Sequence, residues 1–252
     1  MSKKFKIVSL SVNYLSFEES LNKVIQLGLS HEPSFICFAN VHMATEAYLD
    51  NSFLQRVDRA TLVLADGKPI AAAFRWIYNK KQERIAGMDF MPRLLRVADT
   101  VRAKIFLFGS TNEVLDRLKL KINLDYPNVV IVGVLSPPFR ILSPDEQISY
   151  IDQINQHNPH FVMVSLGCPK QEKWMADNYK KINAVLLGVG GAFPVMAGIQ
   201  KRSPKWMQHA GLEWCYRLVQ EPIRLFKRYL TTNSLFIYLL IRQWISTKLK
   251  IR

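Results

Sequence analysis

The chain has 252 residues, of which 49% are hydrophobic and 21% are charged, and its formal net charge at pH 7 is +14. This length and composition fit one globular α/β domain with an additional segment, and they exclude an intrinsically disordered chain. The three cysteines, Cys37, Cys168 and Cys215, show no CxxC spacing. We therefore expect neither a disulfide framework nor a zinc site, but reduced thiols in a cytoplasmic protein.

The N-terminus is basic like the start of a signal peptide, but Lys6, Ser9, Ser11 and Asn13 interrupt the apolar region that would have to follow. We interpret this segment as an alternating first strand. The most hydrophobic run, LFIYLLI at residues 235–241, is far shorter than the roughly 20 residues of a membrane-spanning helix. The sequence therefore predicts no segment that crosses a bilayer.

Short apolar runs alternate with helical patterns along the first 200 residues, which is typical of a largely parallel sheet covered by helices on both faces. The predicted strands are 5–12, 35–38, 62–65, 104–108, 129–134, 161–165 and 184–189. The predicted helices are 41–49, 70–77, 88–101, 112–124, 144–155, 170–181 and 192–197. We predict a Rossmann-like α/β core over residues 1–200.

Several predicted strands end in polar or glycine residues immediately before a helix begins. Ligands of open α/β sheets bind at this carboxyl edge, and helix N-termini there attract anions such as diphosphate. The edge is therefore the expected functional site. Its residues include Asn40, Asp66, Gly67, Gly167, Gly190 and Gly191.

Two motifs at this edge carry carboxylates with more than one interpretation. In LADGKP, Asp66 precedes a glycine, so its carboxylate can project into the cleft, although an Asp-Gly turn is the commoner explanation. In ERIAGMD, Arg84 and Asp89 flank a glycine before a helix. An ion pair or a helix cap explains these two residues as well as ligand contact does.

Two further motifs follow the last predicted strands. In GCPKQEKW, Glu172 can pair with a helix dipole, whereas the amide of Gln171 suits sugar hydroxyls. GVGGAF begins like a dinucleotide fingerprint, but Phe193 replaces the third glycine, which disfavours a nicotinamide cofactor. Gly190 and Gly191 still permit close approach of a ligand to the backbone. We find no DxD, HExxH or Walker A pattern, so we expect no cofactor and metal-independent activity.

The C-terminal segment, residues 201–252, contains five Lys and six Arg against two Glu, which accounts for +9 of the net charge. Arg217, Arg224 and Arg228 follow at steps of seven and four, broadly one side of a helix. Pro222 is expected to kink this run or to start a second helix. We predict a basic, amphipathic helical appendage. Its interleaved aromatic residues suit a membrane surface, and a solvated helix face packed on the core is the alternative.

Taken together, six segments resemble the WecG/TagA/CpsF family of bacterial glycosyltransferases, family 26. They are FANVHMATEA, LADGKP, ERIAGMD, GCPKQEKW, GVGGAF and AGIQKRSPKWMQHAGLEWCYRLVQEPIRL, in the family's order across residues 35–230. The resemblance implies an inverting transferase that moves a sugar from a UDP-sugar onto a sugar attached to polyprenyl (undecaprenyl) diphosphate, in surface polysaccharide or teichoic acid-type synthesis. It also implies peripheral attachment to the inner face of the cell membrane. We find no recognisable nucleic-acid module and expect no nucleic-acid partner, and a homo-oligomer stays open.

The resemblance also assigns roles to residues of this chain. It implies Asp66 as the catalytic base that deprotonates the acceptor hydroxyl. Arg84 would face the leaving diphosphate, and Gly190 and Gly191 the nucleotide. The implied substrate-binding set is Asn40, Arg84, Asp89, Gln171, Glu172, Gly190 and Gly191, and the residues implied to bind the lipid diphosphate are Arg217, Arg224 and Arg228.

The sequence departs from the family pattern at three positions. Phe38 replaces a threonine, so we expect one pocket hydroxyl to be missing and do not transfer the sugar specificity of other members. Pro194 stands where an Asp is common, and Ser203 replaces an Ala. From charge and fold alone, two other classes stay open. One is a basic nucleic-acid-binding protein and the other is a Rossmann-type oxidoreductase.

Overall fold

The computed structural model describes residues 2–140 and 142–249, without the side chains of residues 209 and 224. Its strands are β1 (Lys4–Ile7), β2 (Leu10–Asn13), β3 (Ser34–Ala39), β4 (Leu62–Ala65), β5 (Lys104–Gly109), β6 (Val130–Leu135), β7 (Phe161–Ser165) and β8 (Val185–Gly188). β3 to β8 form one parallel sheet in the order β4-β3-β8-β7-β5-β6. The predicted Rossmann-like parallel sheet is confirmed.

The helices pack on both faces of this sheet. They are α1 (Phe17–Leu29), α2 (Val41–Leu49), α3 (Asn51–Asp58), α4 (Lys68–Tyr78), α5 (Gly87–Thr100), α6 (Asn112–Asp125), α7 (Pro144–Gln156), α8 (Lys170–Asn178), α9 (Ala192–Met196), α10 (Lys205–Ala210), α11 (Glu213–Gln220) and α12 (Pro222–Leu249). A short 3₁₀ turn, Tyr179–Lys181, follows α8.

Alternate residues of each central strand enter two separate hydrophobic cores. Along β3, Phe35 and Cys37 face the core beneath α2, α4 and α12, whereas Ile36 and Phe38 face the core beneath α1 and α5. All six residues of β3 are buried. Burial on both faces explains why these strands appear in the sequence as continuous apolar runs.

The prediction of one strand over residues 5–12 is wrong. The segment is an antiparallel hairpin of β1 and β2, and it forms a separate two-stranded sheet. The chain reverses at Val8, whose φ of 57° lies in the left-handed region. A β-branched residue seldom adopts this conformation, so the turn carries no sequence signal.

Helices α1 and α3 are absent from the predicted elements. Each has a clear N-terminal cap. Ser16 accepts from the Glu19 N–H and forms a full capping box before α1, and Asp50 caps α3 through the Phe53 N–H. The Ser16–Glu19 spacing is a sequence signal for a helix start.

The C-terminal segment is helical, as predicted, and Pro222 starts α12 rather than kinking a longer helix. α12 packs along α2 and α4. Leu225, Phe236 and Leu240 are buried there. The side chain of Gln243 also bridges the backbone of Val8 and Lys6 in the hairpin. The apolar run at residues 235–241 therefore belongs partly to the core. The division of the chain at residue 200 stays a prediction.

Among the described residues, no helix combines the length and the hydropathy that crossing a membrane requires.

Candidate functional site

Asp66 lies at the carboxyl edge of the sheet, where β4 and β3 end side by side. The backbone N–H groups of Asp66 and Gly67 both donate to the carbonyl of Ala39, at 2.9 and 3.3 Å. This shared acceptor brings Asp66 next to Asn40, the first residue after β3. The structure thus joins two of the predicted site residues through the ends of two parallel strands.

Asn40 holds Asp66 and helix α2 together. Its Oδ1 accepts from the Met43 N–H at 3.1 Å and caps α2. Its side chain also hydrogen-bonds the carboxyl of Asp66. Since the amide oxygen is committed to the helix, the NH₂ group is the part that is free to donate to Asp66.

The pKa of the Asp66 carboxyl is raised to about 6. Burial is the main cause, and the nearby charge of Glu213 adds to it, whereas Arg84, Asn40 and Arg217 act in the opposite direction. An ordinary aspartate has a pKa near 3.9 and is a weak base. A carboxyl with a pKa of about 6 is still ionised at neutral pH and is a better proton acceptor.

Arg84 is held between two carboxylates. Its terminal nitrogens donate to Asp89 Oδ2 and to Glu213 Oε2, each at 2.6 Å. Arg202 completes the cluster by donating to Asp89 Oδ1 at 2.6 Å, and it lies 3.8 Å from Glu213 Oε1. The ion pair that the sequence left open between Arg84 and Asp89 is therefore formed. The same cluster attaches α11 to the core beside Asp66.

Arg217, on α11, reaches the Gly190–Gly191 turn. Its Nη2 lies 3.0 Å from where a Cβ of residue 191 would stand. The same guanidinium lowers the pKa of Asp66, so it lies within electrostatic reach of that carboxyl. A side chain at position 191 would displace this arginine. The structure thus brings together Arg217, Gly191 and Asp66, which are far apart in the sequence.

The other two appendage arginines occupy α12. Arg228 lies near His42 at the start of α2, and with burial it lowers the pKa of that imidazole. His42 also hydrogen-bonds the backbone of Cys168. The side chain of Arg224 lies outside the described residues, so its predicted role at the lipid diphosphate stays a prediction.

Gln171 and Glu172 begin helix α8 beneath the turn after β8. Gln171 is 6% exposed and Glu172 is fully buried. The Gln171 Nε2 donates to Glu172 Oε1 at 2.7 Å and to the Gly188 carbonyl at 3.0 Å. Burial raises the pKa of Glu172 to about 7. The Glu172 carboxyl therefore acts on its neighbours inside the protein rather than on the cleft.

The Gly190–Gly191 turn is fixed to the neighbouring strand β7. The Gly190 N–H donates to the Val164 carbonyl at 3.1 Å, and the Gly190 carbonyl accepts from Ser165 Oγ at 2.9 Å. Gly190 has a φ of +47°, in the left-handed region that glycine adopts without strain. The turn therefore presents a preformed backbone surface at the edge of the sheet.

Phe38 lies in the core rather than in the cleft. It is buried against Phe90 of α5, with ring centroids 5.3 Å apart. The side chain at this position packs between the sheet and α5. The ring of Phe38 therefore stands in place of the threonine hydroxyl that the family pattern would provide.

Glu213 and His42 are not among the candidate residues that the sequence provides. Glu213 counts in the sequence only as an isolated acid in a basic segment, yet it pairs with Arg84 across 129 positions. His42 lies within FANVHMATEA, two residues after Asn40, and this proximity was an available signal. Across residues 2–140 and 142–249, no group of three or more His, Cys, Asp or Glu is placed to hold a metal ion.

Comparisons with known proteins cover both the core and the appendage. The family model described as "Glycosyl transferase WecG/TagA/CpsF family" matches residues 5–250. An N-acetylglucosaminyldiphosphoundecaprenol N-acetyl-beta-D-mannosaminyltransferase of Bacillus subtilis (strain 168) is 35% identical over 198 residues, which are 78% of this chain and 75% of the relative. A protein of the same name from Staphylococcus aureus (strain MW2) is 28% identical over 208 residues, 81% of this chain and 78% of the relative.

We expect that breaking the largely buried Arg84–Glu213 ion pair destabilises the protein more than breaking an exposed ion pair of the same length. Glu213→Leu leaves the largely buried Arg84 short of a partner, so we expect the free energy of unfolding to fall by about 1.5–3 kcal/mol. Glu18→Leu is the matched control, because Glu18 also lies 2.6 Å from an arginine, Arg93, but at the exposed surface. Its loss should cost less than about 1 kcal/mol. Urea denaturation measures both, and equal costs would show that Glu213 does not secure the appendage.

Proposed function

The chain belongs to the WecG/TagA/CpsF family of glycosyl transferases, and from this premise we propose that it is an inverting, UDP-sugar-dependent enzyme. The acceptor is a hydroxyl of a sugar carried on polyprenyl diphosphate. The observation that carries this proposal is Asp66, a carboxyl at the edge of the sheet with a pKa raised to about 6 and with Arg84 and Arg217 close by.

Asp66 acts as the general base. The acceptor oxygen attacks the anomeric carbon of the donor sugar as the bond from that carbon to the diphosphate oxygen breaks, and UDP leaves from the opposite face. The acceptor proton passes to the Asp66 carboxylate. The hydrogen bond from Asn40 keeps that carboxylate in place, and its raised pKa makes it a stronger base in the transition state.

Arginines supply the positive charge that the departing diphosphate needs. Arg217 lies against the Gly190–Gly191 turn, and both Arg217 and Arg84 are close enough to Asp66 to lower its pKa. A guanidinium carries a permanent charge and pairs with phosphate oxygens through two parallel hydrogen bonds. We propose that these fixed charges take the place of a divalent cation, so that activity is independent of added metal.

The names of the relatives indicate which substrates to test first. Both describe transfer of N-acetylmannosamine onto N-acetylglucosamine linked to undecaprenyl diphosphate. We propose the same class of lipid-linked acceptor for this chain. The donor sugar requires a panel, because Phe38 packs in the core where the family pattern has a threonine, two residues before Asn40.

The appendage presents an apolar stripe beside its basic residues. Val219 and Ile223 are 81% and 97% exposed, and Phe226 and Leu230 continue the same spacing along α12. Exposed apolar side chains next to Lys and Arg suit the interface of an anionic membrane. We propose that this stripe attaches the enzyme peripherally to the cytoplasmic leaflet, where its lipid-linked acceptor resides.

Dependence on a UDP-sugar and independence of metal are tested together, by measuring UDP release in the presence of EDTA. Purified protein is mixed with UDP-N-acetylmannosamine or other UDP-sugars and a short-chain polyprenyl diphosphate acceptor. We expect release to require both substrates. Thermal shifts with UDP, NAD and duplex DNA form the comparison arm, and stabilisation by NAD or DNA but not by UDP would contradict a UDP-sugar transferase.

Asp66→Asn should lower turnover by about 10² to 10⁴-fold while UDP still binds. Wild-type kcat/KM should rise with pH through about 6 and then level off, because only the ionised carboxyl accepts a proton. The asparagine variant should lack this step. Asp177→Asn, at an exposed aspartate paired with Arg56, is the control and should behave as wild type. Near-normal turnover of Asp66→Asn would assign the base elsewhere.

Membrane attachment is best tested with point variants, since removal of α12 would also expose part of the core. Ile223→Asp places a carboxylate in the apolar stripe and should reduce binding to anionic vesicles at least tenfold. Leu124→Asp changes a leucine on α6 that is 77% exposed and lies outside the stripe, and it should have no effect. Vesicle co-sedimentation measures both. Equal binding of the two variants would show that the stripe does not contact the membrane.

A further inference from the structure

Two consecutive residues at the start of α8 form a buried polar pair. Gln171 and Glu172 are 6% and 0% exposed. Among the described residues, the groups that influence the Glu172 carboxyl include no Lys or Arg, only the Gln171 amide, the Cys168 thiol and its own backbone. Burying a carboxyl without a cationic partner is costly. Glu172 Oε1 accepts from Gln171, whereas Glu172 Oε2 has no hydrogen-bond partner within the described residues.

The two acceptors around Gln171 select one orientation of its amide. Nε2 donates both to Glu172 Oε1 and to the carbonyl of Gly188, the last residue of β8. Rotating the amide by half a turn would place Oε1 against these two acceptor oxygens, which is unfavourable. Glu172 and Gly188 therefore act together to point Nε2 at β8 and Oε1 away from it.

The amide oxygen of Gln171, Oε1, faces the turn after β8. Gln171 Oε1 is buried and has no hydrogen-bond partner within the described part of the chain. It lies 3.2 Å from where a Cβ of residue 190 would stand, so glycine there leaves the oxygen uncovered by a side chain. Buried acceptors without partners are rare in proteins and mark positions that a ligand or an ordered water completes.

We propose that Glu172 is a positioning residue that works through Gln171. Its carboxyl holds the Gln171 amide so that Nε2 fixes the end of β8 and Oε1 stays available, beside the Gly190–Gly191 turn, to a hydroxyl or N–H of the donor substrate. The role at the donor rests on the proposed function. The bracing of the turn does not.

The bracing is tested on the ligand-free protein by hydrogen-deuterium exchange. In the wild type, the N–H groups of Val189 and Gly190 are hydrogen-bonded. Glu172→Leu and Gln171→Ala should each speed exchange over residues 185–193 about tenfold. Glu172→Gln keeps an acceptor oxygen for Nε2 and should exchange as wild type does. Unchanged exchange in both Glu172→Leu and Gln171→Ala would overturn the bracing.

The role at the donor is tested by steady-state kinetics on the same variants. We expect Glu172→Leu and Gln171→Ala each to raise the KM for the donor about tenfold with little change in kcat, and the double variant to be no worse than either single one. Glu172→Gln should restore the wild-type KM. Cys168→Ala is the control, because it removes the thiol beside the Glu172 carboxyl and leaves Gln171 in place. Its KM for the donor should equal that of the wild type.

Effects that add in the double variant would overturn the proposal, because Glu172 would then act independently of Gln171. A normal KM in Glu172→Leu together with a raised KM in Gln171→Ala would overturn it as well. If the wild type uses no UDP-sugar, the proposed function fails, and the exchange experiment still decides whether Glu172 braces the turn.

Discussion

The ion cluster around Arg84 is the interaction on which the arrangement of the site depends. Arg84 belongs to the core and Glu213 to the appendage, and their contact places α11 over the carboxyl edge of the sheet. Arg202 and Asp89 extend the contact, so that two arginines and two carboxylates form one ion-pair network. With α11 in this position, Arg217 reaches the turn after β8 and comes within range of Asp66. The appendage is thus part of the site.

The same cluster modulates the pKa of Asp66, which burial raises. Arg84 and Arg217 favour the ionised carboxylate, whereas burial and Glu213 favour the protonated form, and burial has the largest effect. An edge with both signs of charge can hold an anionic ligand while Asp66 still exchanges its proton near neutral pH. Any ligand whose phosphates contact Arg84 must share that arginine with Glu213 and Asp89. Such a contact would couple binding of that ligand to the contact between appendage and core.

Local sequence patterns were sufficient to predict the sheet and part of the site. The six parallel strands follow from apolar runs that are buried on both faces, and Asp66 and Asn40 follow from the rule that such strands end at one edge. Other features depend on contacts between distant residues. The pairing of Arg84 with Glu213 spans 129 positions, and the hairpin depends on a positive φ at Val8, a residue type that gives no indication of a turn. Helix α1 did have a signal, the capping box of Ser16 and Glu19.

The place of β8 in the sheet has a consequence for how the molecule assembles. β8 is the last strand in the chain, yet it lies between β3 and β7 in the middle of the sheet. Without β8, β4-β3 and β7-β5-β6 would be two half-sheets, and the inner edges of β3 and β7 would have unpaired N–H and C=O groups. The core closes only when β8 enters this gap, and α10 to α12 follow it in the chain. Glu213 and Arg217, which reach the edge around Asp66, also follow β8 in the chain, so the candidate site draws on segments on both sides of this closing strand.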